Sequence, residues 1–207
     1  DISLMVALSA VTATVTTLLM GALSDRLGKR KVLVCGGYIV WGVSILGFSL
    51  VRMDVLTPLC ETAAQAMSLG VTLTIALDCL MTFFGSTAND ACFNAWVTDN
   101  TESSFRGKVE GILSILPLAA MLIVAGGFGI IVEMIGYSMM FLCLGILISV
   151  CGVCGIFLLK DSPTLKKSGN FRDILYGFKP GVIKENFPLY LTLCLVLIYG
   201  IACQIFM

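Results

Sequence analysis

Between Gly85 and Asp99 the chain reads G-S-T-A-N-D-A-C-F-N-A-W-V-T-D, a polar stretch set inside a long apolar run. On an α-helix Ser86, Asp90 and Asn94 recur at i, i+4 and i+8, which predicts one polar stripe flanked by Thr87, Asn89 and Thr98. Asp90 stands nine residues before Asp99. That is about 13.5 Å of helix, which puts the carboxylate near the middle of a bilayer if Asp99 marks its edge. An aspartate at that depth costs roughly 2.5 to 3.5 kcal/mol on insertion scales, so it should face the interior of a bundle. Two roles fit Asp90, binding a solute or taking up a coupled proton, with Asn89 and Asn94 as hydrogen-bonding neighbours. The structural alternative is a polar clasp between helices. Ser9, Thr12 and Thr16 share a face near the N-terminus, but such hydroxyls often bond their own backbone. Near the other end Tyr199 and Gln204 could line a cavity, and packing explains them equally well. Asp78, Glu61 and Glu133 are expected at the outer interface, and Glu110 near Arg106 at the inner one.

Little else in the sequence could do chemistry. There is no histidine, no nucleophile with a base at useful spacing and no phosphate-binding loop, so an enzyme is not expected. Nine cysteines lie scattered through apolar runs and read as small packing residues; no metal and no cofactor is expected. Cys151 and Cys154 have redox-pair spacing, yet they sit in an uncharged run beside Gly152 and Gly155. Thirteen basic and thirteen acidic residues cancel, which gives no attraction to nucleic acid.

The elements that must hold these residues follow from hydropathy. The chain is 58% hydrophobic and 13% charged, where a soluble domain carries about a quarter charged. Six apolar segments stand out, at 2–23, 32–51, 68–97, 109–132, 137–159 and 188–207. Continuous apolar runs without alternation select helices in lipid, so the expected fold is an all-α polytopic membrane bundle. Loops 24–31, 98–108 and 160–187 hold 12 of the 13 basic residues, while 52–67 and 133–136 hold only Arg52. The positive-inside rule makes the first set cytoplasmic. The third segment is long for one span, and Pro117 predicts a kink in the fourth. Glycines 36, 37, 42, 47, 126, 127, 129 and 152, and the Gly107 to Gly111 spacing, predict close helix approaches. Phe171, Ile174, Leu175 and Phe178 predict a short amphipathic helix on the membrane surface, ended by Lys179-Pro180-Gly181. The chain starts at Asp1 and stops at Met207 within an apolar run, so both ends look cut.

Residues 21–33 read G-A-L-S-D-R-L-G-K-R-K-V-L. Gly21 and Gly28 let two helix ends meet in a short reversal, and the basic cluster keeps that reversal on the cytoplasmic side. This strongly resembles the signature loop between helices two and three of the major facilitator superfamily, at Gly21, Leu23, Asp25, Arg26, Gly28, Lys29, Arg30 and Leu33. The resemblance implies secondary transport of a small solute by alternating access, coupled to a proton or sodium ion, in a multi-pass bacterial cytoplasmic membrane protein. It implies that Asp25 faces a helix terminus and that Arg26 pairs with Asp99 in a charge lock. It also implies twelve helices in two halves, six of them here. Residues 1–159 then match family helices two to six, 160–187 the loop between halves and 188–207 family helix seven. Helix one and helices eight to twelve would complete the carrier. Leu116-Pro117-Leu118-Ala119-Ala120 departs from the glycine-rich antiporter run of helix five, and the double-basic pattern of glycoside/cation symporters is absent. The subfamily therefore stays open, and a drug-type efflux antiporter or a non-transporting sensor or scaffold on the same fold are the alternatives.

Overall fold

Six apolar runs and short polar joints leave the backbone little choice but helix, and the computed structural model of the chain, which describes residues 2–162 and 179–206, is all helical among those residues. The chain divides into two compact units, Asp1–Ser168 and Gly169–Met207. The first contains α1 (Ile2–Leu27), α2 (Arg30–Phe48), α3 (Met53–Leu56) running into a 3-10 turn (Thr57–Leu59), α4 (Ala63–Gly85), a π-helical stretch (Ser86–Phe93), α5 (Asn94–Asn100) and α6 (Arg106–Leu158). The second contains α7 (Pro180–Glu185) and α8 (Phe187–Phe206). The expected surface helix through Phe171 and Phe178 lies outside the described residues.

Two boundaries differ from expectation. The third segment begins at Ala63, where Thr62 accepts a hydrogen bond from the Gln65 amide at 3.3 Å and Gln65 Oε1 accepts one from the Glu61 amide at 3.2 Å. This reciprocal cap holds the helix open five residues earlier than hydropathy indicates. The expected loop 133–136 is reduced to one residue. Helical geometry runs through it except at Gly136, whose φ of 77° and ψ of 160° break α6 into stretches 106–135 and 137–158. Apolar sequence on both sides lets the helix propagate up to the one residue that tolerates positive φ. At 53 residues, an unbroken α6 would run about 80 Å, far beyond a ~30 Å hydrocarbon layer. The break splits it into two stretches, each long enough to cross.

Packing centres on α2. Antiparallel to it runs 137–158, as successive contacts show: Phe48 stacks on Phe141, a Cβ on Gly145 would stand 2.8 Å from the Gly42 carbonyl oxygen, and one on Gly152 would stand 2.8 Å from the Ile39 nitrogen. On the other side α4 and α5 also run antiparallel to α2, with Leu77 against Gly47, Ala88 against Gly37 and Asp99 against Arg30. Both registers return the chain to one end, so the joints at 28–29, 101–105 and 159–162 cluster there. Of the glycines expected to pack, 37, 42, 47 and 152 do; 107, 111, 126, 127 and 129 face open space because stretch 106–135 exposes nearly all of its surface, and Gly36 of α2 has nothing within 4 Å. Four helices among the described residues are long and apolar enough to cross a membrane, Ser3–Leu27, Arg30–Phe48, Ala63–Asn100 and Arg106–Leu158, and Phe187–Tyr199 is a shorter apolar one. Large apolar side chains such as Met134, 79% exposed, point outward, which suits hydrocarbon and not water.

Candidate transport site and charge cluster

The polar stretch of α4 is where the helix changes pitch. From Ser86 to Phe93 the backbone is π-helical, and the Asn94 amide bonds the Asn89 carbonyl, five residues back. Each such turn holds an extra residue, so i and i+4 no longer share a face. Ser86 and Thr87 are consequently buried in helix packing, and Thr87 Oγ1 donates to the Phe83 carbonyl at 2.7 Å. They do not continue the stripe predicted for an α-helix. Asn89, Asp90, Phe93 and Asn94 instead line a cavity of about 670 Å³ whose other wall is the 106–135 stretch, from Glu110 through Ser114 and Pro117 to Ala120. Pro117 has no N–H for the Leu113 carbonyl, and both residues border the cavity. No backbone angle other than that of Gly136 leaves the helical range within α6, so the proline acts there as a missing donor.

Asp90 is exposed to this cavity. Its Oδ1 accepts from Asn89 Nδ2 at 3.1 Å, and Asn89 Oδ1 in turn accepts from the Tyr38 hydroxyl of α2 at 3.1 Å. Asn94 Nδ2 donates to the Asp90 carbonyl at 3.2 Å. The bond between helices therefore runs from Tyr38 to Asn89, and the carboxylate stands at the open end of the chain. Tyr38 is absent from the residues singled out in the sequence. A depth argument identifies it: Tyr38 is eight residues above Arg30 and Asn89 ten above Asp99, about 12 and 15 Å from two residues that meet.

Where the basic joints gather, Arg30 is nearly buried, its side chain 9% exposed. Nη2 meets Asp25 at 2.8 Å, Nη1 donates to Ser24 Oγ at 3.0 Å and Nε bonds Asp99. The cation on Asp99 is thus Arg30, where Arg26 was expected. The reversal at Gly28, with φ 61°, turns the first residue of α2 inward, whereas Arg26 remains on the exposed side of α1. Two further contacts tie the end of α6 to the cluster. Asp161 Oδ1 accepts from the Lys31 amide at 2.8 Å, and Trp96 Nε1 donates to the Lys160 carbonyl at 2.8 Å. Asp25, Asp99 and Asp161 so surround the N-terminus of α2, the end at which the helix dipole favours anions. Gly21 has open space around it, and Lys29 makes no side-chain cap. Tyr199 lies in the second unit and is exposed there; the side chain of Gln204 falls outside the described residues.

Among the described residues no group of three His, Cys, Asp or Glu side chains is placed to hold a metal ion. The eight described cysteines are free thiols. Nothing among the curated proteins and nothing among the solved structures matches the chain. The sequence profile of the Major Facilitator Superfamily matches residues 1–207, the whole length given. With apolar helices long enough to span a bilayer, a buried Arg30 shared by Asp25 and Asp99 and a polar cavity at mid-helix, the chain is an integral multi-pass membrane protein that belongs to the Major Facilitator Superfamily.

Proposed function

We propose that the protein moves a small polar solute by secondary transport, with Asp90 carrying the coupling cation and Asn89 and Asn94 contacting the solute. Membership of the family implies secondary transport; the assignment of roles is our reading. The observation that carries it is the exposure of Asp90 to a cavity of about 670 Å³, within the size range of small-molecule sites, while Asn89 makes the bond between helices. A clasp role for Asp90 is disfavoured because its carboxylate accepts from its own neighbour and not from another helix. The proton is the simplest coupling cation for a lone carboxylate in this position, with sodium as the alternative.

In this reading the end bearing the basic joints is cytoplasmic, and the Asp25, Arg30 and Asp99 cluster closes it in one conformation and opens in the other. Family helices two to six then fall within 1–159, the loop between halves is 160–187, and family helix seven is 188–207. The test is proton movement in proteoliposomes of the full carrier, measured with a pH dye as candidate small solutes are added one by one. Asp90→Asn should abolish proton movement while keeping solute exchange. Coupling that survives in this variant removes Asp90 from the mechanism, and no solute movement by the intact carrier favours the sensor or scaffold reading.

A further inference from the structure

Asp78 was expected at the outer interface, but the structure sets it half-buried against α1, where the Ser9 hydroxyl donates to its Oδ2. Two registers give its depth. Ser9 is 16 residues from Asp25, and Gly47, which packs on Leu77, is 17 from Arg30. Both put the pair about 24 Å from the charge cluster, in the outer third of a ~30 Å hydrocarbon layer. No counter-ion faces it among the described residues. Between Ile2 and Ser24 α1 has no titratable residue, and α2 has none from Ile39 to Phe48. On α4 itself the nearest titratable neighbour is the Cys79 thiol, and Arg52 at the outer surface is engaged by Asp54 at 2.7 Å. A carboxylate in hydrocarbon costs several times what one hydrogen bond between membrane helices returns, so Ser9 does not offset the charged form.

One helical turn outward from the pair, Met5 of α1 and Thr74 of α4 line a separate cavity of about 370 Å³, bounded by Leu56 and Gly70 and with Arg52 at its wall. Its walls are mostly apolar, with Thr74 and Arg52 the polar side chains on them. We propose that Asp78, held by Ser9 between apolar helices, is a second proton-binding site of the carrier. It deepens the proposed coupling role of Asp90 and rests on the same secondary-transport reading. The step balances with one proton and no other reactant: the carboxylate takes H⁺ from water and becomes neutral. Ser9 suits both states. Its hydroxyl donates to the carboxylate, or accepts from the carboxyl O–H while turning its own proton to the Met5 carbonyl one turn back.

The test uses the full-length carrier in proteoliposomes and the apolar reagent dicyclohexylcarbodiimide, which adds to protonated carboxyls in membranes; peptide mass mapping reads Asp78 and Asp90 separately. Asp78 should be modified, at least about tenfold less at pH 9 than at pH 6, and its labelling should change at least about threefold when Asp99→Asn shifts the conformational balance. Asp78→Asn, which still offers an oxygen to Ser9, should fold normally and remove only that adduct. If Asp78 stays unlabelled, or its labelling is indifferent to pH or to Asp99→Asn, the pair is a mechanical fastener and the proposal is overturned. Labelling of Asp78 with none at Asp90 would instead count against the Asp90 assignment alone.

Discussion

Replacing Asp99 by Asn should loosen the end of the bundle that bears the basic joints by an amount that the geometry sets. Arg30 is 9% exposed at its side chain and divides its donors between Asp25, Asp99 and Ser24. Asn keeps an oxygen for Nε, which still donates from the Arg30 cation, and removes the opposite charge. The change loses the attraction of a partly buried ion pair, on the order of 1 to 2 kcal/mol, between about 0.2 to 1 for an exposed pair and about 3 to 5 for a buried one. Asp99 is 27% exposed, so solvent screening takes little of the difference, and about 1.5 kcal/mol remains. Asp25, at 52% exposure, is too solvated to make up the loss. If the cluster exists in one conformation only, the balance between conformations shifts roughly tenfold toward the one open at that end. A single cysteine at Ala120, in the cavity wall, reports this in a background without the native cysteines. The ratio of labelling from the side of the basic joints to labelling from the opposite side should rise about tenfold. Asp54→Asn, at an ion pair 52% and 60% exposed, serves as the control and should leave the ratio unchanged. A shift below about twofold in Asp99→Asn, or an equal shift in the control, would refute the lock.

Two further expectations bear on packing and on the site. Gly145→Val should lower thermal stability in detergent by about 1 to 3 kcal/mol, since a Cβ there would stand 2.8 Å from the Gly42 carbonyl oxygen, whereas Gly126→Ala, with nothing within 4 Å, should be close to neutral. Tyr38→Phe removes the only bond shown between α2 and Asn89 and should weaken solute affinity by about fivefold, near 1 kcal/mol, with the fold intact by circular dichroism.

Several features were legible in order along the chain. The reversal at Gly28 and the basic residues beside it carry the family resemblance, and the profile match over the whole length agrees with it. Asp90 was singled out from its depth, because an aspartate far from a helix end has to face something polar, and Asn94 from its spacing to Asp90; both line the cavity. The start of α4 was also written locally, as Thr62-Ala-Ala-Gln65 in the capping pattern, although hydropathy placed it later. Ser86 and Thr87 went astray for a local reason of another kind: a π-helical stretch gives no apolar period by which to recognise it, and it turns the stripe.

What the sequence by itself determined is the helical membrane class, the sorting of basic joints and the residues too polar to face lipid. These depend on summed transfer energies and on a period fixed by the backbone, and both are properties of a segment alone. Only the tertiary structure decided that Arg30 rather than Arg26 meets Asp99, that Tyr38 reaches Asn89, that Ser9 meets Asp78 and that Gly42 and Gly145 share a contact. Each of these depends on the rotation and register of one helix against another. Many weak contacts spread over both surfaces set that register, and no single segment contains them.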